Sequence, residues 1–347
     1  MRAGKNLFGL VVIGVILLAS CSQTHFITIT AEIPPTADIP AYIKNVAVLK
    51  FDGQDPHGAE IVARKLEEEL VKNKYYTVLA SSELQTILGE KAFAETDLVE
   101  EDVRSKLKMK AVHAIIKGTV AQFEAKTERG IDIEQRPRQV PTGQRNPVYD
   151  KRGRIIRYDT VYTTVYDEIR IPWMERHANV VASFSLIDVN TRQNIDTLQE
   201  KGSHSTGKVK GDTMPEPEAE CINKAVTSCV SSFVKSISTT IDTFRTDLVN
   251  GSGMSNANKL AASGLYKDAE SIYRSVFAAN PSHWAAAYNL GLVLEAQTRY
   301  EEADEAYRKG LAASGGSNDK CIHALQRIEK RKADAARLEK LKAERKG

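Results

Sequence analysis

Val46-Ala47-Val48-Leu49-Lys50-Phe51 is a short, nearly continuous apolar run, followed by the turn-rich Asp52-Gly53-Gln54-Asp55-Pro56-His57-Gly58. An apolar run of this length, bounded by turn residues, reads as a buried strand. Ile61, Leu66 and Leu70, spaced among charges, continue as an amphipathic helix. Tyr75-Tyr76-Thr77-Val78-Leu79 reads as a second strand. Ser81 or Ser82 can cap a helix through Leu88. A short helix follows over 100–107. The stretch 111–123 contains another strand, with Ile115-Ile116-Lys117-Gly118-Thr119-Val120 at its heart. The order β-α-β-α-β predicts an α/β domain of two or three layers over 43–248.

An insertion with an inserted β-hairpin interrupts this pattern at about 125–176. Its first half carries Arg136, Arg138, Arg145, Lys151, Arg152 and Arg154 among Pro137, Pro141 and Pro147, and reads as a mobile loop. Its second half, 155–171, is β-rich, and Tyr158, Tyr162 and Tyr166 share one face at period two. Packing of those tyrosines on the domain is the expected fate of the hairpin. The five arginines are candidate contacts to an anion: a lipid phosphate, a peptidoglycan carboxylate or an acidic partner. A long helix is expected over 219–244, where Ile222, Ala225, Val226, Cys229, Val230, Phe233, Val234, Ile237 and Ile241 recur at helical spacing. Asn250-Gly251-Ser252-Gly253 marks a linker.

Beyond the linker lies a repeat. Tyr266, Ala269, Tyr273 and Arg274 recur 34 residues later as Tyr300, Ala303, Tyr307 and Arg308. Pro281 closes the first unit, and Leu290-Gly291 sits at the matching position of the second. This is the period and pattern of the tetratricopeptide (TPR) helical hairpin, so an all-α module of two repeats is expected over 250–317. Small Ala269 and Ala303 let helices approach, and the tyrosines fill the gap. Two repeats fall short of the three that usually stand alone. The segment 318–347 is expected to supply a capping helix through Ile322, Leu325 and Ile328, then a basic, solvated tail. Such modules present a groove to a peptide or protein. Asn258, Lys259 and Asn289, on the first helices of the repeats, are the predicted protein contacts.

The amino terminus has a different character. Arg2 and Lys5 precede a run of about a dozen apolar residues, too short to span a bilayer as a helix. Small residues and Cys21 follow, the pattern of a signal peptide over 1–20. Leu18-Ala19-Ser20-Cys21 resembles the bacterial lipobox. That resemblance implies cleavage before Cys21 and acylation of its thiol and new amine, a stable anchor because more than one chain is attached. By the same analogy Ser22, in place of Asp, favours the outer membrane, facing the periplasm. Residues 21–42 read as a lipidated linker, kept extended by Pro34, Pro35 and Pro40.

The α/β pattern also resembles a family. Ala47-Val48-Leu49-Lys50-Phe51-Asp52, Gly58 and its helix, Tyr76-Thr77-Val78-Leu79 with Leu84 and Ile87-Leu88-Gly89-Glu90, and Ala114-Ile115-Ile116-Lys117-Gly118-Thr119-Val120 are similar to the curli-secretion (CsgG-like) lipoprotein family. The amino-terminal domain of the Tol-associated propeller protein and the lipoprotein activators of peptidoglycan synthases share the pattern. Asp188-Val189-Asn190-Thr191 resembles the turn after the family's late strand, with Arg192 where a glycine is usual. The resemblance covers about 43–245 and implies a non-catalytic role in the envelope.

Composition agrees with that role. The 347 residues carry 48 basic and 45 acidic side chains, so no global field favours nucleic acid. No nucleophile-elbow, metalloprotease, P-loop or dinucleotide fingerprint occurs. The expectation is therefore no enzyme, no metal at zinc spacing and no cofactor beyond the lipid on Cys21. Cys221 and Cys229, about 12 Å apart on one helix, are too distant to bridge; the readings left are buried or free thiols, or a pair of one of them with Cys321. The sequence reads as an envelope adaptor or assembly factor with a protein partner. An oligomeric secretion channel and a peptidoglycan-synthase activator are the alternatives, and oligomerisation stays open.

The anchor is directly testable. Cys21→Ser removes the acyl acceptor, so we expect the variant to lose metabolic labelling by palmitate and to leave the membrane pellet. Undiminished labelling would refute the assignment.

Overall fold

The computed structural model describes residues 24–80, 83–84, 86, 105–108 and 111–346. Cys21 and the signal segment lie outside them, as does most of the helix expected from Ser81 or Ser82 to Leu88. Two units are formed, one of residues 34–240 with 340–346 and one of residues 24–33 with 241–339.

The first unit is α/β. Strand β2 (Asn45–Val48) lies parallel to β4 (Thr77–Leu79) on one side and to β5 (Ala114–Tyr149) on the other. Beyond β5 come β6 (Ile155–Asp188) and β7 (Asn194–Ser205), both antiparallel to their neighbours. Short β3 (Asp52–Gly53) pairs with β5, and β8 (Val209–Lys210) with β6. Helices α1 (Pro56–Asn73) and α2 (Glu218–Ile237) share a core with Val46, Val48, Ile116 and Phe184. Ala47, Leu49 and Ile115, on the opposite face, pack with Leu84 and Leu107. Burial on both faces is why the Val46–Phe51 run is almost unbroken instead of alternating.

Two close approaches set the depth of this core. Phe51 crosses β5 at Gly118, where a Cβ would stand 2.4 Å from its ring. It meets Phe184 edge-on at 5.6 Å, and Phe184 stacks on Phe233 of α2 at 4.3 Å. At Gly202 of β7 a Cβ would lie 1.9 Å from the Ala225 carbonyl oxygen and 2.5 Å from the Cys229 nitrogen, so α2 rests directly on the strand backbone.

The turn after β6 is built around Asp188. Buried Asp188 accepts from the backbone N–H of Asn190 (2.6 Å) and Thr191 (3.1 Å) and from the Tyr42 hydroxyl. Burial works against its charged form, but those donors hold the carboxyl below its usual range. Arg192 takes the left-handed conformation (φ 62°) that glycine would adopt without strain.

One expectation is corrected here. The helix over 219–244 ends at Ile237, where the buried Ser238 hydroxyl donates to the Val234 carbonyl (2.5 Å). The chain then turns extended as β9 (Thr240–Asp247). The charged tail over 340–346 is mostly exposed, but Arg345 sits 4.1 Å over the Tyr75 ring and donates to the carbonyls of Tyr75 (3.0 Å) and Ile43 (3.2 Å).

The second unit is helical, with β1 (Phe26–Ile33) paired to β9. β1 lies within the stretch read as an extended linker. It alternates exposed and buried, placing Ile27, Ile29 and Ala31 inside. Helices α3 (Ser255–Ala262), α4 (Tyr266–Ala279), α5 (Trp284–Ala296), α6 (Tyr300–Ala313) and α7 (Asp319–Lys346), the last as far as residue 339, follow. The positions that recur after 34 residues form its core: Ala269, Ala303, Tyr273 and Tyr307 are all fully buried. The Tyr307 ring fills the place of a missing side chain at Gly291, where a Cβ would be 2.4 Å away. Its hydroxyl donates to buried Glu295 (2.7 Å), which also takes two bonds from Arg327 at 2.8 Å. Cys221, Cys229 and Cys321 are buried free thiols.

The approach at Gly202 predicts a large cost for one methyl group. Gly202→Ala should destabilise the α/β unit by about 3 kcal/mol, the upper end for overpacking. We expect a Tm lower by about 6–12 °C in a thermal melt.

Candidate functional site

Strands β5 and β6 continue far beyond the covered core. The alternating buried series Leu186, Phe184, Ala182, Val180 and Ala178 ends at Ala178. From there residues 126–149 and 155–177 pair as an antiparallel arm, two-stranded beyond Trp173. At ~3.4 Å per residue it extends about 80 Å. β7 and β8 accompany β6 only as far as Trp173.

The first half of the insertion is therefore strand, not a mobile loop. Its prolines and arginines carry loop composition, but the β-branched and aromatic run of β6 supplies a pairing template. Proline lacks an N–H and is tolerated where a strand edge is free. Pro137, Pro141 and Pro147 lie on β5 where its outer side carries no strand among the described residues.

The arm has two unlike faces. On one, Tyr166 opposes Pro137, Tyr162 opposes Pro141 and Tyr158 opposes Pro147. Further toward the sheet the same face carries Ile131, Ile133 and Pro172. These tyrosines do not pack on the domain: Tyr158, Tyr162 and Tyr166 are 56–63% exposed, and Ile131 and Ile133 about as much. A ring facing a proline across a strand pair is a favourable contact, yet it leaves the outer ring surface in water. On the other face charges alternate. Arg138 grips Asp167 with two bonds (2.7 and 3.3 Å), which holds that carboxyl below its usual range. Lys210 binds Glu134 (2.7 Å) and Asp132 (3.1 Å), and Lys208 lies 4.2 Å over the Trp173 ring. Trp173 lies across Gly130, the one shape that clears its indole.

The predicted site residues fall into three groups. Arg136 and Arg138 lie on the charged face, opposite Asp167 and Val165, and Arg145 lies opposite Thr160 just past an irregularity in the register. Arg152 and Arg154 form the tip, tied to Asp150 through their backbone N–H groups and, for Arg154, a 2.9 Å ion pair. All five are exposed, but Arg138 and Arg154 already hold acids of the arm.

Asn258 and Asn289 are corrected. Both are fully buried. Asn289 bonds both polar groups of the Val249 backbone (3.0 and 2.8 Å), and Asn258 accepts from Tyr273 (2.7 Å) and Asn289 (3.1 Å). They clamp the linker inside the helical unit and reach no groove. Lys259, on the same helix, is exposed.

One cluster had no sequence signal. His204, Glu216 and Cys221 point side-chain ligand atoms within 4.8 Å of one another. Their spacing, twelve residues and then five, matches no metal motif, and only the return of the chain from β7 to α2 joins them.

The family model described as "Curli production assembly/transport component CsgG" matches residues 54–131, the segment from α1 into the arm. Among solved structures the chain is similar to the PelC dodecamer from Paraburkholderia phytofirmans. The two share 12% identity with a TM-score of 0.27, covering 60% of this chain and 96% of that one. Lipoprotein GNA1162 from Neisseria meningitidis shares 9% identity with a TM-score of 0.31, covering 55% and 98%. The LpoB C-terminal domain from Salmonella enterica shares 9% with a TM-score of 0.26, covering 48% and 86%. No curated protein matches the chain.

Because the tyrosine face is exposed, it should contribute little to stability. Tyr162→Ser and Tyr166→Ser are each expected to cost less than about 1 kcal/mol, a lost cross-strand contact, and to leave the thermal melt nearly unchanged. A Tm drop as large as that expected of Gly202→Ala would mean that the face is packed.

Proposed function

We propose that this chain is a non-catalytic, lipid-anchored envelope protein. It acts as an adaptor or assembly factor for a secretion, surface-polymer export or cell-wall machine, and the arm is its docking surface. One observation carries the reading. An isolated two-stranded ribbon is marginal in water at best, yet this chain extends one about 60 Å past its last flanking strand, with a tyrosine-proline face uncovered. Such a face is completed by a protein partner that buries the outer ring surfaces, since aromatic residues are enriched at interface centres. The family match over 54–131 supports the envelope setting. The 34-residue repeat, with its buried tyrosine and alanine positions, supports reading the helical unit as a TPR-type module with a capping helix. A groove lined by Arg274, Phe277, Leu290, Leu294, Glu302 and Lys309 takes over the contact role assigned to the asparagines.

The arm's length favours a second reading, an oligomeric channel in which hairpins of several copies close a barrel. Each strand exceeds the 9–11 residues a barrel needs. Two features weigh against it. Pro137, Pro141 and Pro147 interrupt the edge that a neighbouring copy would pair with. The tyrosine face also includes Glu168 and Arg170 beside Tyr166, where a lipid-facing band must be apolar.

Light scattering and negative-stain imaging of the mature, detergent-extracted protein separate the two. We expect a monomer or dimer. A detergent-resistant ring of many copies would replace the adaptor with the channel.

A further inference from the structure

The structure assigns a divalent transition-metal site, best matched to Zn²⁺, to His204 Nε2, Glu216 Oε1 and the Cys221 thiolate. His204 stands at the end of β7, opposite Ala178 of β6. Glu216 ends the connection from β8, and Cys221 lies in the first turn of α2. The three come from a sheet edge, a loop and a helix that the chain brings together only by doubling back.

Several observations converge on one point. His204 Nε2 and Glu216 Oε1 are 3.4 Å apart. Both are buried, yet neither has a hydrogen-bond partner. The two atoms face each other at ion-pair distance without a well-aimed N–H between them. Cys221 is wholly buried, and its thiol makes long contacts, 3.8 Å to the His204 carbonyl and 3.9 Å to that of Arg176. The other Glu216 oxygen is held by Lys224, which fixes the carboxylate and leaves Oε1 turned inward. Tetrahedral zinc with ordinary bond lengths sets its nitrogen and oxygen ligands about 3.3 Å apart and its nitrogen and sulfur ligands about 3.5 Å apart. The His204–Glu216 distance already has that value, and the sulfur lies within 4.8 Å of both partner atoms.

The ligand chemistry fits zinc. One thiolate, one imidazole and one carboxylate neutralise a dication and suit a borderline-soft metal better than calcium or magnesium. Burial raises the Cys221 thiol pKa in the absence of metal; coordination would reverse that and release the thiol proton to solvent. Three protein ligands leave a fourth position for water or a partner's side chain. Within the chain the ion would staple the β7 end and the following loop to α2, at the level where the arm leaves the covered sheet. This inference does not depend on the adaptor reading.

The test uses the full mature chain in detergent, freed of metal by a chelator and titrated with Co²⁺ alone. We expect one Co²⁺ per chain, with a thiolate-to-cobalt charge-transfer band in the near ultraviolet that Zn²⁺ displaces. Cys221→Ser should abolish the band, and His204→Gln should weaken binding at least tenfold. Cys229→Ser should change nothing, since that thiol, two turns further along α2, donates to the Glu200 carbonyl of β7. His204 is partly exposed, so its variant is expected to fold even if the Cys221 variant does not. Saturating Zn²⁺ should also raise the Tm of the wild type and not of His204→Gln. Absence of the band in the wild type, or a band that survives His204→Gln at full affinity, would overturn the site.

Discussion

The α/β unit depends on the contact between α2 and β7 at Gly202. A helix that rests on bare strand backbone brings Phe233 against Phe184 and, through it, Phe51 over Gly118. Three elements distant in sequence thereby share one apolar layer. The same contact sets where the layer stops. α2 begins at Glu218, so its first turn covers the sheet near Ala178 and nothing beyond. The core and the arm are consequences of one helix length.

Past that limit the two long strands obey different rules. Inside the unit they alternate between a buried apolar face under the helices and a face that, past Ile115 and Ile187, carries Lys117, Thr119, Ser183 and Ser185, and glycines serve close packing. In the arm the alternation persists, but it separates a tyrosine-proline face from a face of paired charges. The arm holds its register through Arg138 with Asp167, Lys210 with Asp132 and Glu134, and the Tyr–Pro pairs. Exposed ion pairs contribute little each. The arm's order therefore depends on continuity with the buried base more than on its own side chains.

The helical unit manages its polar groups inwardly. Asn258 and Asn289 satisfy the Val249 backbone and the Tyr273 hydroxyl, while Glu295 joins Tyr307 to Arg327. Burial raises the pKa of both tyrosine hydroxyls, so they stay neutral donors. Buried polar groups that are fully paired specify one arrangement of helices where an all-apolar core would permit several.

Periodicity made much of this legible in the residues alone. The Val46–Phe51 run, the helical stripe from Ile222 to Ile237, though not its end there, the three-tyrosine face and the 34-residue recurrence are local signals, because each depends on which neighbours along the chain share a face. Composition misled where a partner strand overrules it. The proline- and arginine-rich half of the arm is β because β6 lies beside it, and residues 26–33 are β because β9 does. Asn258 and Asn289 resemble surface contacts in sequence, but their burial follows from where the linker returns. The His204, Glu216 and Cys221 cluster had no sequence signature at all. Chain order determines which residues can form a strand or helix; only tertiary packing decides which side chains meet, because that depends on distances the sequence does not contain.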